Sequence, residues 1–217
     1  IAKMNMLLHG ISTADLRNAD TLAEPQHVEG GELMRFDRVL SNPPFSINWG
    51  TTDTDRAGQS VWAPKFRAER FRYGEVPLGS KKADLMFLQH MVAVTRDGGM
   101  VATVMPHGVL FRGGEERTIR AAMIEADLLE AVIGLPANLF YGTGIPACIL
   151  VLDKENAAAR KGVMMVDASK GFIKDGNKNR LRAQDIHKIV DTFTRQLETP
   201  KYSRLVPLAE IEANDFN

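Results

Sequence analysis

The chain has 217 residues, of which 44% are hydrophobic and 25% charged, as in an ordinary globular domain or a domain with an extension. Its 27 basic residues balance its 27 acidic residues. If the chain acts on DNA, we therefore expect a partner to supply much of the affinity for the phosphates. No apolar run approaches the length needed to span a bilayer, and no secretory signal is visible in these residues, so we expect no association with a membrane. The single cysteine, Cys148, excludes an intrachain disulfide and a multi-cysteine zinc site, predicts no metal centre and favours a cytoplasmic location.

The first predicted element is the end of a helix over residues 1–10, stopped by Gly10. A natural chain rarely begins inside an element, so we expect this sequence to be a fragment of a longer protein. A weak strand is predicted over residues 14–17 and a buried strand over residues 36–40. The second strand runs directly into an Asn-Pro-Pro-Phe tetrapeptide.

Residues 46–82 form a long segment of weak periodicity that mixes aromatic and basic side chains. Loops of this length are uncommon in compact domains unless they are functional or disordered. Two interpretations stay open: contacts to phosphates and bases, or a solvated loop with packed aromatic residues. The basic residues at issue are Lys65, Arg67, Arg70 and Arg72.

The rest of the chain alternates helices with short apolar strands, which predicts an α/β fold with a doubly wound, mostly parallel sheet. The buried-strand pattern weakens after Lys154, so we expect a boundary between residues 1–154 and an extension of one strand and one helix over residues 155–217. Predicted helices cover residues 83–95, 115–126 and 183–197, the last with Ile186, Ile189, Val190, Phe193 and Leu197 facing inward, and predicted strands cover residues 100–105, 128–135, 147–152 and 163–166.

The tetrapeptide Asn42-Pro43-Pro44-Phe45 has the chemistry needed to hold a planar amine. The Asn42 side-chain carbonyl and the Pro43 main-chain carbonyl can each accept one N–H, while Phe45 stacks on the ring. Acceptors outside the ring plane favour a pyramidal nitrogen whose lone pair points at a methyl donor. The alternative is a Pro-Pro turn in which Asn42 bonds its own backbone.

Several longer stretches extend this pattern, and together they resemble the modification subunit of type I restriction-modification systems. The stretches are MNMLLHGI (4–11), ADTL (19–22), FDRVLSNPPF (36–45), ADLMFLQHM (83–91), MPHGVLFRGGEERTIR (105–120), EAVIGLPANLFYGTGIPACILVLDK (130–154) and VDASKGF (166–172). The resemblance covers nearly the whole chain, and the segment around Leu135–Pro146 is far more specific than the tetrapeptide.

The resemblance implies N6 methylation of adenine in DNA with S-adenosylmethionine, on the fold of S-adenosylmethionine-dependent methyltransferases truncated at its N-terminal strands. It implies that the catalytic residues are Asn42, Pro43, Pro44 and Phe45, which would bind the target amine of a base flipped out of the duplex. It places Asp20 and the neighbouring Thr21 at the cofactor adenine. DNA, a specificity subunit and a restriction subunit are the implied partners.

One departure is that the family's Gly-rich cofactor turn, and the acid expected to bind the ribose, are absent from residues 1–217. We expect both to lie upstream, and the chain alone to bind cofactor weakly and to be inactive. Two alternatives stay open: methylation of RNA bases or protein glutamine, which use a similar tetrapeptide, and a non-catalytic module that binds a specificity subunit. Missing strands would also leave sheet edges exposed to pairing with other chains.

Overall fold

The structure is a computed structural model that describes residues 1–79, 81–155 and 157–217. The strands are β1 (Val28–Glu29), β2 (Glu32–Leu33), β3 (Phe36–Ser41), β4 (Thr95–Pro106), β5 (Leu129–Gly134), β6 (Ala147–Asp153), β7 (Gly162–Asp167), β8 (Ile173–Asp175), β9 (Lys178–Arg180) and β10 (Ser203–Pro207). The α-helices are α1 (Ala2–Leu8), α2 (Arg67–Arg70), α3 (Asp84–Ala93), α4 (Glu115–Glu125), α5 (Ala183–Thr194) and α6 (Leu208–Ala213). No helix in this part of the chain has the length and apolar character needed to cross a membrane.

Six strands form the central sheet in the order β10-β7-β5-β6-β4-β3. The α/β class is confirmed, but the sheet is mixed instead of mostly parallel: within the described residues, β3–β4 and β5–β7 pair in parallel, and the other three pairings are antiparallel. The reason is that residues 135–146 join β5 to β6 without a helix, and a parallel return needs a crossover connection. Strands β3, β4, β5 and β7 still point the same way, so their carboxyl ends share one edge.

The core lies on both faces of this sheet. Alternate residues of β5 show the division: Val132 packs in the cluster under α3 and α4, while Ala131 and Ile133 pack in the cluster under α5. The side chains of β7 alternate between the same two clusters. The result is a three-layer arrangement in which residues from both sides of Lys154 contribute to one sheet.

Most predicted elements are confirmed to within a few residues, and the exceptions lie at edges. Residues 14–17 form no strand. Strand β3 is half exposed instead of buried, with Leu40 81% accessible, because β3 ends the sheet and pairs only with β4. On α5, Ile189 faces the core, but Ile186 and Val190 are exposed. The short pairs β1–β2 and β8–β9, together with β10 and α6, have no counterpart among the predicted elements.

Residues 46–79 pack against the main core through aromatic side chains. Trp49 is fully buried, and it makes edge-to-face contacts with Trp62 (5.3 Å between ring centroids) and Phe71 (4.9 Å). For these residues the structure supports the interpretation of packed aromatic side chains, because the aromatic rings face the core and not the solvent.

Arg70 holds this segment from inside. Its side chain is 1% exposed, and its guanidinium donates to the carbonyls of Thr21 (2.9 Å), Leu22 (2.6 Å) and Lys65 (2.6 and 3.0 Å). Burial lowers the pKa of Arg70 to about 10, which leaves it charged at neutral pH. The predicted contact of Arg70 with nucleic acid is therefore contradicted, since the side chain is enclosed and its donors are used.

Replacing Arg70 with Met is expected to lower the free energy of unfolding by about 2–4 kcal/mol, because three carbonyls lose their donor. Urea denaturation followed by tryptophan fluorescence measures this loss. The matched control is Arg72→Met, since Arg72 is exposed and, among the residues that the structure describes, donates only to the hydroxyl of Tyr73. It should change stability by less than about 0.5 kcal/mol. Equal effects of the two substitutions would contradict the structural role.

Candidate active site at the carboxyl edge of the sheet

The Asn-Pro-Pro-Phe tetrapeptide follows β3 at the edge where the parallel strands end. The Asn42 side chain is exposed, and neither its amide nor the Pro43 carbonyl accepts a hydrogen bond from another described residue. Pro43 is buried, and the proline rings fix φ on both sides of the carbonyl. The Pro43 carbonyl is therefore held in place, and both acceptors remain available to a ligand. An Asn42 that bonds its own backbone, the alternative considered from the sequence, is not what the structure shows.

The loop from β5 to β6 lies opposite the tetrapeptide and closes a cleft of about 390 Å³. The rings of Phe45 and Phe140 both line it and contact each other edge to face, with centroids 6.2 Å apart. This volume lies within the range of small-molecule sites. The lining residues are Asn42, Pro43, Phe45, Ser46, Phe140, Tyr141, Gly142, Thr143 and Ile145.

Sequence reasoning assigned no role in the site to Phe140 or Tyr141. The missed signal is topological: twelve residues without regular structure join two apolar strands, and such loops are commonly functional. Because β6 returns antiparallel to β5, this loop begins and ends at the carboxyl edge, beside Asn42.

A buried carboxylate fixes the backbone directly after the tetrapeptide. Ser46 has φ +55°, in the left-handed region, and its N–H donates to Asp84 Oδ1 at 2.8 Å. Asp84, at the start of α3, is 2% exposed, and its Oδ2 accepts from Arg112 Nη2 at 2.6 Å. The carboxylate therefore joins the tetrapeptide to α3 and to the turn before α4 by charge-assisted hydrogen bonds.

Glu116 extends this network on the far side of Arg112. Its Oε2 lies 3.2 Å from Arg112 Nε, an ion-pair contact that is not a hydrogen bond. Burial raises the pKa of Glu116, an effect that the neighbouring Arg112 opposes. Arg112 is thus placed between two buried acids, and its position is defined from both sides.

A second cleft, of about 410 Å³, lies along the unpaired edge of β3. Thr21 lines it together with His27, Arg38 and Leu40. Asp20 does not line it. Asp20 accepts the N–H groups of Leu22 and Ala23 through Oδ1, at 2.9 and 3.2 Å, while Oδ2 accepts none from the described residues.

The remaining basic residues predicted to contact nucleic acid lie outside both clefts. Lys65 pairs with Glu24, Arg67 pairs with Glu75 at 2.6 Å, and Arg72 lies 4.9 Å from the ring centroid of Tyr73. These three are exposed, and their contact with DNA stays a prediction. His107, directly after β4, has Nε2 2.9 Å from the carbonyl of Ala147, a contact that gives this side chain a structural role.

The sequence of this chain is similar to those of known DNA methylases. Residues 1–217 match the N-6 DNA Methylase family. The chain belongs to this family. It is 34% identical, over its whole length, to the type I restriction enzyme MpnII methylase subunit of Mycoplasma pneumoniae, and 32% identical to the HindI methylase subunit of Haemophilus influenzae. It spans 39% and 47% of those two proteins.

The crystal structure of a type I restriction-modification system methyltransferase subunit from Streptococcus thermophilus superposes on the whole chain. The TM-score is 0.82 at 38% identity, and the chain covers 43% of that protein. The resemblance to type I modification subunits and the methyltransferase fold inferred from it are therefore confirmed. Like the two curated relatives, this methyltransferase subunit is more than twice as long as residues 1–217.

Asp84→Asn is expected to lower kcat for methyl transfer about tenfold or more, because Ser46 and Arg112 bond two different oxygens of the carboxylate and asparagine replaces one of these with an NH2 group, so that the tetrapeptide loses its fixed position. The measurement is methyl incorporation by the full-length member of this family that contains residues 1–217. The matched control is Asp97→Asn, at an exposed position in β4. Unchanged kcat in Asp84→Asn would show that this carboxylate does not position the site.

Proposed function

We propose that this chain forms the base-binding half of a DNA adenine N6-methyltransferase, the modification subunit of a type I restriction-modification system. The observation that carries the proposal is the pair of unused acceptors, Asn42 and the Pro43 carbonyl, at the edge of a cleft that also holds the rings of Phe45 and Phe140. An exocyclic amine needs two acceptors, and the purine that bears it needs an aromatic surface.

The chemistry follows from the nature of the amine. Its lone pair is delocalised into the purine ring, which makes it a poor nucleophile. Two acceptors that draw its protons out of the ring plane localise that lone pair and stabilise the positive charge that develops on nitrogen. The proton leaves after attack, so no strong base is required. This agrees with a cleft whose lining, among the described residues, contains no carboxylate or imidazole.

Access to the cleft requires that the adenine leave the helix. An amine stacked inside a duplex cannot reach both Asn42 and Pro43, whereas a flipped base can lie against the two phenylalanine rings. Stacking of a base on an aromatic side chain is worth about 1–3 kcal/mol. That stabilisation offsets much of the cost of unstacking, which supports Phe45 and Phe140 as the surfaces that hold the base.

S-adenosylmethionine is the proposed cofactor, and it supplies an electrophilic methyl group on a sulfonium. The described residues fit one part of it: Asp20 retains a free carboxylate oxygen that can accept from an adenine amine, and Thr21 lines the cleft beside Leu40, two residues before Asn42. Residues 1–217 contain no Gly-rich turn of the kind that would bind the rest of the cofactor. We therefore propose that Asp20 and Thr21 contribute to a site whose main contacts come from other parts of the full protein.

The proposed partners are DNA, a specificity subunit that reads its sequence and a restriction subunit. The balanced charge of the chain supports this division, since a protein that neutralises many phosphates by itself carries a basic excess. The two curated relatives named above are methylase subunits of type I restriction enzymes. These names favour DNA over RNA or protein as the substrate, and an active subunit over an inert assembly module. The cytoplasmic location stays a prediction.

Asn42→Ala should reduce methyl transfer about 100-fold or more, because one of the two acceptors is removed from the reacting nitrogen. Tritium transfer from labelled S-adenosylmethionine to unmethylated DNA, by the assembled full-length enzyme, measures this loss. Cofactor affinity should stay within about twofold of the parent, since the cofactor is held elsewhere. The matched control is Asn5→Ala, an exposed position on α1 that lines neither cleft. Methylation at the parent rate in Asn42→Ala would refute the proposal.

A further inference from the structure

The loop that carries Phe140 is bound along one side by the hairpin β8–β9, which belongs to the part of the chain after residue 155. Asn179 donates from its backbone N–H to the carbonyl of Asn138 at 2.9 Å, and from Nδ2 to the carbonyl of Ala137 at 2.7 Å. The Asn179 side chain is 8% exposed. In return, Asn138 donates from its side chain to the carbonyl of Asn177 at 2.9 Å. The hairpin and the start of the loop thus form one hydrogen-bonded unit.

Lys178 holds the rest of the loop. Its Nζ donates to the carbonyl of Phe140 at 2.6 Å, to the carbonyl of Thr143 at 3.2 Å and to Asn138 Oδ1 at 3.3 Å. An ammonium has three donors, and all three are used. No carboxylate of a described residue lies within 4.0 Å of this Nζ. The ammonium therefore interacts with the loop itself and not with an acid elsewhere on the surface.

The loop needs such a tie because of its own geometry. Residues 135–146 contain neither helix nor strand, so their carbonyls have few internal partners. Asn138 has φ +62° and Gly142 has φ +78°, so the chain turns sharply on both sides of Phe140. Lys178 bonds carbonyls within this bend and so sets where the Phe140 ring stands relative to Phe45.

We infer that Lys178 is a positioning residue for methyl transfer: its ammonium clamps the 138–143 loop so that the Phe140 ring stays beside Phe45 on the lining of the target-base cleft. The inference rests on the proposed function for its catalytic consequence, but the clamp itself is a property of the loop. It also gives the residues after 155 a part in the active site, since they supply the hairpin that shapes one wall of the cleft.

The test compares Lys178→Met with Lys174→Met in the full-length enzyme. Lys174 lies in the partner strand of the same hairpin, opposite Asn179, and its side chain is exposed. Both changes remove one positive charge and keep a similar aliphatic side chain. The three measurements are hydrogen exchange of the amides in residues 138–145, kcat and KM for unmethylated DNA, and the dissociation constant of S-adenosylmethionine.

In Lys178→Met, exchange in residues 138–145 should accelerate about tenfold or more, because the loop opens without its clamp. The value of kcat should fall about tenfold, while KM for DNA stays within about threefold and cofactor affinity within about twofold, because a displaced Phe140 acts after DNA and cofactor are bound. Lys174→Met should match the parent in all three. A general loss of folding would instead weaken cofactor binding and accelerate exchange throughout the protein.

Parent-like exchange in Lys178→Met, parent-like kcat, or equal effects in Lys174→Met would each overturn the inference. If the parent enzyme transfers no methyl group to DNA, the proposed function fails, while the exchange measurement still decides whether the clamp exists. Should Lys178→Met not fold, Asn138→Gly is the second variant, since glycine tolerates φ +62° and removes one acceptor of Lys178. It should accelerate exchange in the same residues, and parent-like exchange there would count against the clamp.

Discussion

The reversed direction of β6 is the constraint on which the candidate site depends. Because β6 returns antiparallel to β5, the loop between them begins and ends at the carboxyl edge of the sheet, where β3 delivers Asn42. A helical crossover would have carried the chain to the opposite edge and left the tetrapeptide facing solvent. The mixed sheet thus brings the acceptors of one loop and the aromatic ring of another to one cleft.

The loops at this edge are held by buried or half-buried polar side chains more than by regular structure. Asp84 holds the backbone after Phe45, Lys178 holds the bend at Phe140, and Arg70 holds the segment that packs over Trp49. Each is a charged group that hydrogen-bonds a backbone N–H or carbonyl group of the segment it holds. Such contacts restrict where the loops lie, and a reaction that depends on the direction of a nitrogen lone pair requires such positioning.

The parts of the chain before and after Lys154 make different contributions to the candidate site. Residues before Lys154 supply the tetrapeptide and the loop with Phe140, and residues after it complete the sheet through β7 and β10 and support the loop through β8–β9. The predicted boundary therefore separates two stretches of sequence that share one core. At the other side of the sheet, β3 leaves an edge without a partner among the described residues, next to the cleft lined by Thr21.

By itself, the sequence determined the main strands and helices, the tetrapeptide with its two acceptors, and the family, because these depend on local periodicity and on short contiguous motifs. Only the tertiary structure decided the direction of β6, the exposure of β3, the burial of Arg70 and the meeting of Phe45 with Phe140. These features depend on which distant segments pack together. A basic residue in a polar stretch reads the same whether its partner is a phosphate or three carbonyls from elsewhere in the chain, and only packing distinguishes them.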